Sequence, residues 1–293
     1  MKLDSLVRRI KKDWNVDKYP EDWSFVMEGD EKLEAKATPE FLKDHRGLIF
    51  NNSKEVNKIF LTCFPSNYVL REIAKKNKDV LLISHHPFDW NGNEMGFIRY
   101  GDKEYRLMED RGISVMFMHV PWDAVRNDKD RVSTAWGSAK KLNMNVKGKF
   151  QEYHGATVSL YGTLPVKTMD NLEKYIKNRL GNKKLNVFRY GSEEVGLVGF
   201  VPGGGNGPQE IEEAHEVGVN TYITGCTNKC KHPYSVAKSK EFLDLAKEYK
   251  INVIGASHYL TEKWAMQQSV PYFRKFKMPV KFIEDFDQMK VLD

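Results

Sequence analysis

Two adjacent histidines, His85 and His86, follow the apolar run DVLLIS and precede Pro87. Asp123 comes just after a second apolar run, ISVMFMHV, and the pair Pro121 and Trp122. A third run, INVIGAS, leads to His258, with Glu262 four residues further on. Imidazole nitrogens and carboxylate oxygens suit zinc, iron, manganese or nickel, and a donor set without thiolate points away from a closed structural zinc knot. The matching chemistry is an open site with exchangeable or reactive positions. Read singly, each piece has a plainer meaning. An HH pair is often packed or on the surface, H-x-x-x-E arises by chance, and an aspartate after Pro-Trp caps a helix or forms a turn. Only the combination points to metal.

The elements that must position these residues read as an α/β fold, with short β-branched runs alternating with amphipathic stretches of helix length. KIFLTC (58–63) is expected to be a strand, followed by a helix over NYVLREIAKKN that Pro65 and Ser66 open. Pro87 ends the strand that carries His85 and His86, a helix is expected near 103–110, and the third strand stops at Pro121. A helical pattern over 124–142 precedes the lysine-rich NMNVKGKFQEYHG, where a boundary near residue 150 is expected. Residues 1–150 then carry His85, His86 and Asp123, and residues 151–293 repeat the alternation and end in the His258/Glu262 helix, interrupted at Pro271. Positions four apart on a helix share a face. In open α/β sheets, ligands bind outside the carboxyl ends of the strands, where all three pieces fall.

With 293 residues, the chain is long enough for two domains with cores of their own; 41% of residues are hydrophobic and 29% charged. No apolar run approaches the roughly 20 residues of a membrane helix. The basic amphipathic amino terminus lacks the apolar core of a secretory signal and is expected to be an ordinary first helix. Three cysteines, Cys63, Cys226 and Cys230, fit a reducing compartment, and a cytoplasmic location is the default expectation. The formal charge of +6 comes from lysines spread along the chain rather than gathered in a stripe, so nothing indicates a specific nucleic-acid partner.

Weaker signals remain. Gly203, Gly204, Gly205, Asn206 and Gly207 precede a helix and could cradle an anion, but the Walker ending is absent and a plain tight turn is the stronger reading. Cys226, Cys230 and His232 form C-x-x-x-C-x-H without a suitably spaced fourth ligand. His45, His154 and His215 are expected at the surface or in packing. Trp90, Trp122, Trp136 and Trp264 could stack on a nucleobase, although core packing is the plainer role.

Taken together, LLISHHPFDW, VMFMHVPWDAV, VGFVPGGGNGPQEI, NTYITGC and IGASHYLTEKW resemble the Nif-three-like family, also called GTP cyclohydrolase 1 type 2-like proteins. The resemblance implies two similar α/β halves with a dinuclear metal cleft between them, and two divalent ions bridged by Glu262. His86 and Asp123 would complete one ion's ligands and His85 and His258 the other's, with His119 and His232 facing the cleft. A metal-bound water would then be the nucleophile for hydrolysis of a small phosphorylated or nucleotide-like substrate. GTP ring opening ranks below generic hydrolysis, because no residue singles out guanine. A non-enzymatic protein that handles metal or binds a regulatory partner is the competing class. The resemblance also implies a homohexamer, a trimer of dimers. The chain departs from the family's pattern in two places. Cys63 and Phe64 stand where members often carry an aspartate, and Cys226 stands where they tend to be acidic.

Overall fold

The computed structural model describes residues 1–26, 28–91, 96–227 and 233–291. Thirteen strands are found among them: β1 (Gly47–Phe50), β2 (Lys58–Thr62), β3 (Val80–Ser84), β4 (Asp89–Asn91), β5 (Gly96–Ile98), β6 (Ile113–Phe117), β7 (Asn145–Tyr153), β8 (Ala156–Thr163), β9 (Asn186–Phe188), β10 (Val198–Val201), β11 (Thr221–Thr224), β12 (Asn252–Gly255) and β13 (Val280–Phe282). The α/β class is that of the sequence reading. The chain forms two compact units, one of Met1–Trp90, Phe97–Trp122 and Met266–Phe286, the other of Asn91–Gly96, Asp123–Ala265 and Asp287–Asp293.

The first unit is built on a five-stranded sheet in the order β1-β6-β3-β2-β13, parallel except for β1. Its central strands are buried along their whole length, which is why they read as continuous apolar runs and not as alternation. The register places Thr62 beside Ser84 and Ser84 beside Phe117, so β2, β3 and β6 end in line. Whatever follows those three residues emerges on one edge. The amino-terminal helix, Leu3–Trp14, buries Leu3, Leu6, Val7, Ile10 and Trp14, the spacing of a single apolar stripe. Ser66 caps Asn67–Ala74 by accepting the Val69 amide.

The second unit carries a six-stranded sheet, β7-β8-β10-β11-β12-β9, whose β10, β11 and β12 are parallel. Val201, Thr224 and Gly255 lie in register, so here too three carboxyl ends form one edge. The lysine-rich segment where a boundary was expected folds as the long strand β7, paired antiparallel with β8. The helix expected over 124–142 is confined to Thr134–Lys141, capped by Ser133, because an isolated bridge from Asn127 to Val132 holds the preceding residues in a loop. The carboxyl-terminal helix breaks as expected, Val270–Arg274 following His258–Gln268 with Pro271 in its first turn. Among the described residues no helix is long and apolar enough to cross a membrane.

Candidate metal centre

At the first unit's edge, β3 delivers His85 and His86, and the turn after β6 delivers His119. A ring nitrogen from each of the three lies within 4.8 Å of the others. Their ring centroids are 4.3 Å apart for His85 and His86, 4.8 Å for His85 and His119, and 5.0 Å for His86 and His119. The backbone fixes this arrangement. Both histidine amides donate to the Cys63 carbonyl, at 3.1 and 3.0 Å, and the Met118 amide donates to the Ser84 carbonyl at 3.0 Å. Phe64 stacks flat on His86, with centroids 4.4 Å apart and 9° between planes. His85 Nδ1 lies 3.4 Å from the Met118 carbonyl, which can only accept, so a bond there puts the proton on Nδ1 and leaves Nε2 as the donor atom.

Sequence reasoning missed Glu21. Its buried carboxylate accepts from His119 Nδ1 at 3.0 Å, from Trp23 Nε1 at 2.9 Å and from the Val120 amide at 3.0 Å. This is the carboxylate–histidine pairing that orients metal-site imidazoles and fixes their tautomer. The Trp23 ring meets His119 edge-on at 4.9 Å. Burial alone would raise the Glu21 pKa, but the hydrogen bonds and charge of His119, with Trp23 and Val120, outweigh it and hold the carboxyl below its ordinary 4.5. A lowered folded-state pKa means that this stabilisation is complete above the ordinary value and is lost as the pH falls through the folded one. Glu21→Gln is therefore expected to flatten the loss of stability below pH 4.5, read as urea midpoints against pH. Equal acid-side slopes for variant and parent would contradict the assignment.

At the second unit's edge, His258 and Glu262 lie on one face of the helix His258–Gln268, with Nε2 and Oε1 3.2 Å apart. The chain reaches this helix through Ser257 at φ 66, a left-handed conformation that a non-glycine residue adopts only under constraint. Thr261 Oγ1 accepts from the Gly203 amide at 3.0 Å, and the Gly203 carbonyl in turn accepts from the Cys226 amide at 2.9 Å. Gly203 passes so close that a Cβ there would fall inside contact distance of Glu262 Oε1 and 3.0 Å from His258 Nε2. On the other side of the imidazole, Cys226 Sγ lies 3.6 Å from Nδ1.

Asp123, the first residue of the second unit's 123–265 segment, ends the short helix Val120–Asp123, and its Oδ1 accepts from Thr134 Oγ1 at 2.7 Å. Within the first unit the structure thus gathers His85, His86 and His119, and within the second it pairs His258 with Glu262. Cys230 and His232 lie outside the described residues. The glycine run is a turn and not an anion cradle. Gly207 caps Pro208–Glu216, and the Glu210 carboxylate accepts the Gly207 and Glu210 amides that an anion would use. His45 pairs with Asp22 at 2.9 Å, His215 stacks on Tyr249 and His154 packs against Tyr153, in keeping with roles away from the site. Trp122 is fully buried against Trp14 and Phe273.

These donors fit a divalent ion. Apolar packing at a strand edge would be served by apolar rings, whereas three clustered imidazoles are a nitrogen-rich donor set. Two donors about 2.1 Å from one ion stand roughly 3 to 3.4 Å apart, which matches the 3.2 Å between His258 and Glu262. Gly203 keeps that pair clear of side-chain bulk.

Comparison with known proteins agrees with the residue pattern. The GTP cyclohydrolase 1 type 2 homolog of Pyrococcus horikoshii is 28% identical over 260 residues, covering 87% of this chain and 94% of its own. Its counterpart in Pseudomonas aeruginosa is 23% identical over 264 residues, covering 89% and 96%. Among solved structures, the protein ybgI, described as of unknown function, superposes with a TM-score of 0.71 at 22% identity, over 97% of this chain and 98% of that one. Reduced HcgD from Methanocaldococcus jannaschii gives 0.62 at 17% identity, with the same coverage. These two structures support the fold alone. The sequence profile of DUF34/NIF3, NGG1p interacting factor 3, matches residues 31–288, and the chain belongs to that family.

Proposed function

We propose that the chain holds two divalent metal ions through His85, His86, Asp123, His258 and Glu262, with Glu262 serving both, and hydrolyses a small phosphorylated or nucleotide-like compound. The observation that carries this reading is the cluster of three imidazoles on one strand edge, with ring nitrogens within 4.8 Å of one another. The names of the relatives lend it support. When bound, such ions supply Lewis-acid polarisation of a phosphoryl or carbonyl oxygen and a nucleophile near neutral pH. His119 is oriented at this edge by the hydrogen bond from its Nδ1 to Glu21. Gly203 and Thr261 hold the His258/Glu262 face in place. In the same reading the protein assembles as a homohexamer.

The test is elemental analysis of protein purified without added metal, together with anomalous scattering from crystals and a panel of phosphoesters and nucleotides. Two ions per chain at the named residues, with turnover, is the expected result. Glu262 turned away from the histidines, with no anomalous density near them, would overturn it. A second reading, metal handling without catalysis, draws on the thiols beside both donor groups: Cys63 within 4.8 Å of His86, and Cys226 3.6 Å from His258. Full metal loading without turnover, and ready transfer of the ion to a client protein, would favour it.

A further inference from the structure

We propose that Cys63, as a thiolate, ligates the ion held by His86, giving this site a sulfur donor. The inference rests on the metal-binding reading above and adds to it a ligand of a different chemical class.

The position of Cys63 follows from the sheet. Thr62 and Ser84 are paired in the parallel ladder, so Cys63 is the first residue past β2 just where His85 and His86 leave β3. The amides of both histidines donate to the Cys63 carbonyl, which pins the backbone of the cysteine to that of the pair. Its sulfur lies within 4.8 Å of a His86 ring nitrogen. Phe64, the next residue, stacks on the His86 ring and restricts its rotation. Nitrogen and sulfur bound tetrahedrally to one zinc ion, at about 2.05 and 2.3 Å, stand about 3.6 Å apart. A modest side-chain adjustment spans the difference.

The chemistry is consistent with that geometry. A thiol buried among apolar groups stays protonated and inert, and Cys63 is fully buried. Beside a divalent cation the same thiol gives its proton to solvent and becomes an anionic ligand. Cys226 is not equivalent. Its sulfur faces His258 Nδ1, while Nε2 is the nitrogen turned to Glu262, so Cys226 lies behind the ring and not on the donor side. A thiolate also biases the site toward softer ions, favouring zinc, iron or cobalt over manganese.

Cobalt(II) added to the metal-free full-length protein reads this directly, because sulfur bound to cobalt gives an intense near-ultraviolet charge-transfer band, separate from the visible ligand-field bands of the bound ion. The chain has three cysteines, so Cys226→Ser/Cys230→Ser leaves Cys63 as its only thiol. The band is expected in the parent and in this double variant. Cys63→Ser is expected to lose it while keeping the ligand-field bands, with zinc affinity down at least about tenfold and manganese affinity changed less. Ligand-field bands without the charge-transfer band in the parent, or a band that survives Cys63→Ser, would overturn the assignment of Cys63 alone. No cobalt bound at all would overturn the metal-binding reading as well. Should Cys63→Ser fail to fold, the double variant still decides, since any band it shows comes from Cys63 and its absence refutes the ligand.

Discussion

Glu262→Ala is expected to leave the protein folded and nearly devoid of metal. Glu262 is buried in the first turns of the helix His258–Gln268, with Oε1 3.2 Å from His258 Nε2, and in the proposed site it serves both ions. Residues that merely orient a metal ligand are worth about 10–100-fold in affinity. Losing a carboxylate shared by two ions should therefore exceed about 100-fold and take any hydrolytic activity with it. Alanine also leaves a cavity, so Glu262→Gln is the companion variant. It preserves the volume and removes the charge, and it too should emerge from purification largely metal-free. Elemental analysis of both variants, with circular dichroism to confirm the fold, is the measurement. Two ions retained in Glu262→Gln would rule out Glu262 as the bridging carboxylate.

The second large effect is expected at Gly203. Its φ of 67 is left-handed, and a side chain there would strike Glu262 Oε1 and crowd His258 Nε2. The backbone conformation disfavours a non-glycine residue by about 1–3 kcal/mol, and overpacking adds a term of about the same size. Gly203→Ala should lose about 3 kcal/mol, which lowers the melting temperature by roughly 6–12 °C for a unit of this size. It should also spread the His258/Glu262 pair and weaken metal binding. The neighbouring Gly204 is the control, because a Cβ there meets nothing within 4 Å. Gly204→Ala should leave melting temperature and metal content close to the parent's. If the two alanine variants melt together, the close approach at Gly203 has no energetic weight.

The sequence was most legible where a single local signal decided the structure. β2, β3 and β6 are buried along nearly their whole length and read as uninterrupted apolar runs, and Pro87 marks the stop that leaves His85 and His86 on an edge. The i, i+4 spacing of His258 and Glu262 needs only a helix to put them on one face, and the helix is there. Contacts distant in sequence were not legible. Glu21 meets His119 across 98 residues from a segment with no periodicity, so nothing nearby announces its role. β1 and β13 are short, and each takes its place from its sheet partner. The strand expected to run to Pro121 ends at Phe117, because the Met118–His119 turn and the helix Val120–Asp123 intervene. Gly203 was noticed for its composition, but its reason, the carboxylate behind it, is visible only in three dimensions.

The first unit's sheet is completed by β13, where Val280 pairs with Ile59 and Lys281 with Phe60. During vectorial synthesis, then, this sheet is completed only after the whole 123–265 segment has been made. The intervening 123–265 segment, with its own six-stranded sheet, emerges in full while the outer edge of β2 is still bare. An open edge of that kind invites pairing with other chains. The nascent protein carries this exposure until residues 280–282 have been made and can pair with β2.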